Sequence, residues 1–122
     1  MIRRDWFKRH LEMIAQALGV ALGLKEKGEI QAAIASIETS IKEAFGISGK
    51  LAIGLPLHEF IKFACRGEEP PPELLAMLEK TFNEWAELLT AVGRVGEATL
   101  ARTRAQEVVK MRTSSKTGPI DT

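Results

Sequence analysis

Cysteine and histidine are scarce in this chain, and their scarcity removes most routes to side-chain chemistry. One cysteine, Cys65, excludes an internal disulfide framework and any metal site built on several cysteines, and it points to a reducing cytoplasm. Only two histidines are present, His10 and His58. His58-Glu59 begins like the zinc-binding helix of a metalloprotease, but four residues after His58 stands Lys62, so the second ligand is missing. Gly49-Lys50 ends like a phosphate-binding loop, yet Ala44 holds the earlier glycine position and Leu51 the hydroxyl position.

Charge of one sign is also lacking. The formal net charge is +1 and the sequence pI about 7.9, which gives no global reason to expect nucleic acid as a partner. The distribution is uneven. Arg3, Arg4, Lys8 and Arg9 face only Asp5 near the start; Arg102, Arg104, Lys110, Arg112 and Lys116 face only Glu107 and Asp121 near the end, so the body between them is acidic. A long apolar run is missing too. Leu11 to Leu24 is interrupted by Glu12 and Gln16 and falls short of the about 20 residues that a bilayer span needs, so it reads as a buried helix and not as a signal or membrane segment.

What remains is helical periodicity. At 122 residues with 45% hydrophobic side chains, the chain suits one domain with its own core. The first helix, from Arg3 to Asp5 through about Lys25, carries two apolar stripes. One is Phe7, Leu11, Ile14, Leu18 and Ala21; the other is Trp6, Met13, Ala17, Val20 and Leu24. A helix apolar over so much of its circumference is either central or covered by a partner. After a turn at Gly28, a second helix over about Glu29 to Phe45 places Ile30, Ala33, Ile34, Ile37, Ile41, Ala44 and Phe45 on one face. Gly46 to Pro56 reads as a loop with at most one helical turn, and a short third helix covers about Leu57 to Cys65. Pro70, Pro71 and Pro72 form a stiff connector whose last proline suits a first helical position. A fourth helix follows over about Pro72 to Val92, and a fifth over about Gly96 to Met111 with the narrow stripe Ala98, Ala101, Ala105 and Val108. The expectation is an all-α domain over residues 1–111, five helices as two antiparallel hairpins bridged by a short helix. A disordered polar tail is expected over 112–122.

The two hairpins share a spacing. Gly28, Ala33, Ile37 and Ser40 match Gly93, Ala98, Arg102 and Ala105, and upstream Ala17, Val20, Ala21 and Leu24 match Phe82, Trp85, Ala86 and Leu89. These intervals resemble the tetratricopeptide repeat, a unit of about 34 residues in which large and small residues alternate along two antiparallel helices. The segment Leu57 to Cys65 would stand for a degenerate middle unit. The opening Met1-Ile2-Arg3-Arg4-Asp5-Trp6, followed by a broad apolar helix, is also similar to a family of small bacterial helical proteins described only as a domain of unknown function. The repeat resemblance implies scaffolding, and arrays of this kind need about three units to be stable alone, which favours self-association.

No constellation specifies catalysis, a cofactor or a metal. Phe82 and Trp85, one turn apart among leucines, read as core. Glu84 and Glu87 read as solvated surface. Cys65 reads as a buried or tolerated thiol. The leading expectation is a non-enzymatic protein interaction or self-assembly module, a homodimer joined through Trp6, His10, Met13, Ala17 and Val20, with an unidentified protein as another possible partner. The alternative is a regulator that binds nucleic acid or another anionic surface through a basic patch of Arg3, Arg4 and Arg9.

Overall fold

The computed structural model describes residues 4–117, with side chains from 5 to 113. Six helices follow one another: α1 (Arg4–Glu26), α2 (Ile30–Phe45), α3 (Gly49–Gly54), α4 (Leu57–Ala64), α5 (Pro72–Ala91) and α6 (Val95–Thr117). No strand occurs among the described residues, so the all-α expectation holds.

The two hairpins are turned by the same device. Gly28 donates its N–H to the Lys25 carbonyl and Glu29 to that of Leu24; Gly93 donates to Thr90 and Arg94 to Leu89. Both glycines sit at left-handed φ, +80° and +82°, where a Cβ would clash with the chain's own carbonyl. The turns reverse the chain so that α1 packs along α2 and α5 along α6. Lys25, near the end of α1, reaches Glu84 at 3.0 Å and Glu87 at 2.9 Å near the end of α5. The two turns therefore lie at one pole, and the start of α1 and the end of α6 lie away from it.

The core forms where the apolar stripes meet. Trp85, Phe82, Leu78, Leu74, Leu88 and Leu89 of α5 are all fully buried, as are Ile34, Ile37 and Ile41 of α2. Each such side chain contributes roughly 1.5–3 kcal/mol through removal from water. Ala98, Ala101 and Ala105 bring the backbone of α6 close to α5, as their narrow stripe implies.

Two expectations of extent change. The segment expected as a loop contains α3, which makes six helices instead of five. Ser48 starts it, its hydroxyl accepting the Leu51 N–H at 3.3 Å, and Gly49 fits because a Cβ there would lie 3.0 Å from Trp85 Cζ2. The glycines at both ends hid a short helix whose purpose is tertiary. α6 in turn continues six residues past Met111, to Thr117; residues 118–122 of the expected polar tail lie outside the described residues.

Candidate interaction groove

The α1–α2 seam is narrow because small residues line it. Ser36 Oγ donates to the Ala17 carbonyl at 3.1 Å across the seam, and Ser40 Oγ donates to Ile37 within α2 at 2.8 Å, so both hydroxyls are satisfied without water. Above them opens a hollow of about 410 Å³, walled by Met13, Gln16, Ala17 and Val20 from α1 and by Ala35, Ser36, Thr39, Ser40 and Glu43 from α2. Glu43 also borders a second hollow of about 520 Å³ at the far end, lined by Trp6, His10, Phe45, Phe63 and Arg66. The two hollows follow one another along the hairpin, with Glu43 on the border of both.

Aromatic contacts fix its far end. His10 Nδ1 lies 2.7 Å from the Trp6 carbonyl, and since a carbonyl only accepts, Nδ1 carries the proton. The His10 ring lies 4.0 Å from that of Trp6 and 6.1 Å from that of Phe45, centroid to centroid. Phe63, 59% exposed, and Arg66, the one described non-glycine residue at positive φ, stand beside them.

Of the five residues expected to form an interface, Met13, Ala17 and Val20 thus share one hollow, Trp6 and His10 the other, and Glu43 links them. Four are half-buried and Val20 is 51% exposed. Sequence reasoning missed the α2 wall and Phe63. The α2 wall had a signal: in the repeat alignment its residues stand opposite core positions. Of the expected basic patch, Arg9 is exposed on α1. Arg3 and the Arg4 side chain lie outside the described residues.

The repeat register gives the groove its meaning. Shifted by the interval between Gly28 and Gly93, the nine residues of the first hollow become Leu78, Thr81, Phe82, Trp85, Leu100, Ala101, Arg104, Ala105 and Val108. All are buried except Leu100. The α3–α4 segment covers them: Phe60 meets Phe82 at 6.1 Å, Gly49 abuts Trp85, and the Leu57 N–H donates to Glu107 at 2.9 Å. Over the first hairpin the equivalent face has no such cover among the described residues.

Elsewhere several charged groups are already paired, while the buried Trp85 Nε1 and Arg104 Nε have no hydrogen-bond partner among the described residues. A hollow of about 580 Å³ beside Pro56, His58 and Lys110 has Glu107 in its wall, and Glu107 already accepts from Arg104 as well as from Leu57. Glu84 and Glu87 both hold Lys25, which raises the ammonium pKa; the Glu87 side chain is solvated surface at 58% exposed, as expected, whereas that of Glu84 is only 13% exposed. Arg94 donates to Glu97 at 2.6 and 2.8 Å, which holds that carboxyl below the ordinary range. Burial pushes the Cys65 thiol up to about 11, so it stays protonated and unreactive at neutral pH. His58 pairs with Glu59 at 3.0 Å on the surface. Among the described residues no three His, Cys, Asp or Glu side chains are grouped to hold a metal, and no helix is long and apolar enough to cross a membrane.

Comparison with known proteins found no matching family model, no similar curated protein and no similar solved structure.

Proposed function

We propose that this chain is a non-enzymatic protein interaction or self-assembly module that works in the cytoplasm as a homodimer, on a scaffold like a truncated tetratricopeptide array. One observation carries the reading. The groove over α1 and α2 is open in the register where the second hairpin is covered by α3 and α4. A face built to be covered and left uncovered is a docking face. The chemistry of the groove suits it: small walls, satisfied hydroxyls, and apolar Met13, Ala17 and Val20 that a neighbouring helix would bury.

Met13→Glu tests it. A carboxylate at the half-buried Met13 disfavours a covered interface far more than a solvated one. The expected product, by circular dichroism and light scattering, is a folded monomer from a wild-type dimer. A wild-type chain that is already monomeric would remove the homodimer.

A second reading has its own observation. With both turns at one pole, the basic start of α1 and the basic end of α6 lie toward the other, so the charged ends share a side. This favours binding of nucleic acid or another anionic surface, though Glu43, Glu68 and Glu69 are exposed in the elements near that side. It requires affinity that falls with salt and falls again when Arg3, Arg4 and Arg9 are neutralised; salt-independent behaviour would eliminate it.

A further inference from the structure

We infer that the far hollow is a binding site for a free aromatic α-amino acid, whose ammonium lies toward Glu43 and whose carboxylate lies toward Arg66. The site is complete within one chain and does not rest on self-association.

Its walls come from three helix ends. The hollow, about 520 Å³, falls within the range of small-molecule sites and is more enclosed than those beside Val20 and His58. The start of α1 supplies Trp6 and His10, the end of α2 Glu43 and Phe45, and the end of α4 Phe63 and Arg66. His10 gives its Nδ1 proton to the Trp6 carbonyl and contacts the rings of Trp6 and Phe45, which holds the three as one wall. Phe63, 59% exposed, adds an aromatic face that a flat ligand ring would cover.

The charges that line the hollow call for a ligand bearing both signs. Only Glu43 and Arg66 among its lining residues are fully charged, and neither side chain pairs with the other or with any other described residue. Other exposed charges on these elements, Asp5, Lys8, Arg9, Lys42 and Lys62, do not line it. Helix dipoles add the same polarity: Glu43 stands in the last turn of α2, whose negative end favours an ammonium, and Trp6 in the first turn of α1, whose positive end favours a carboxylate. The backbone singles out Arg66. It is held at φ +51°, where glycine would turn the chain without strain, so the strain places a guanidinium at the hollow.

Tryptophan fluorescence of the full chain reads the test, because Trp6 is half-buried at the hollow whereas Trp85 is fully buried in the core. L-Phenylalanine is expected to bind saturably; phenethylamine, without the carboxylate, and hydrocinnamate, without the ammonium, are expected to bind at least about tenfold more weakly. Arg66→Gly relieves the positive φ, so it is expected to melt no lower than wild type while binding L-phenylalanine no better than phenethylamine. Glu43→Gln, at an exposed position, is expected to bind it no better than hydrocinnamate. Absence of saturation up to about 10 mM would overturn the site. Equal affinity for the three compounds, or variants that bind L-phenylalanine as wild type does, would overturn the roles of the two charges. L-Leucine binding as tightly as L-phenylalanine would overturn the aromatic class.

Discussion

The two hairpins start from one pattern and end in opposite situations. Both turn on a left-handed glycine with the same pair of backbone hydrogen bonds, and both place a fully buried alanine five residues on, Ala33 and Ala98. Yet α5 carries Phe82 and Trp85 into the core, while α1 carries Ala17 and Val20 at the same positions to an open groove. The turn is local chemistry and repeats faithfully. Burial depends on what lies across the face: α3 and α4 pack on the second hairpin, whereas at the first α4 borders only the far hollow, through Phe63 and Ala64, and the hollow beside Val20 has no such cover among the described residues.

The largest expected contrast is at one register position. Trp85→Ala removes a fully buried indole and is expected to cost about 3–5 kcal/mol in denaturant unfolding. Its counterpart Val20→Ala, at a side chain half open to solvent, is expected to cost less than about 0.5 kcal/mol in the monomer and to weaken association instead. Equal costs would show that the hairpins are packed alike.

The turns are expected to behave identically. Gly28→Ala and Gly93→Ala each force an L-residue to a φ near +80° and are expected to cost about 1 kcal/mol apiece. Thermal melts that differ between them by more than that would show that packing reaches into the caps.

The smallest difference is electrostatic. Arg94 and Glu97 pair at the second turn, where the first has Glu29 and Ala32. The Glu97 carboxyl has its pKa lowered on folding, so its contribution is present above the ordinary carboxylate range and is lost as pH falls through the folded value. Both partners are partly exposed, so the pair contributes less than about 0.5 kcal/mol. Glu97→Gln is expected to melt slightly lower than wild type at neutral pH and level with it in acid. An unchanged gap in acid would assign the effect to something other than ionisation.

Much of the fold is legible in the sequence because its determinants are local: the stripes of α2, α5 and α6, the glycine turns and Pro72 at a helix start all depend on neighbours within a few residues. α3 is not, since its role is to lay Gly49 against Trp85, a contact across the chain. The Glu84 and Glu87 pairing with Lys25 was hidden for the same reason. The candidate site was half legible. Periodicity showed that α1 has two apolar stripes, but which one remains open is set by the packing of α1 on α2 and on the distant α5.

The most direct test is the solution mass of the wild-type chain by light scattering on a size-exclusion column, from low to high salt. An apolar α1–α2 interface is expected to give twice the chain mass of 13.4 kDa, unchanged by salt. A monomer at every salt concentration would contradict it, because the groove would then be a surface feature that nothing covers.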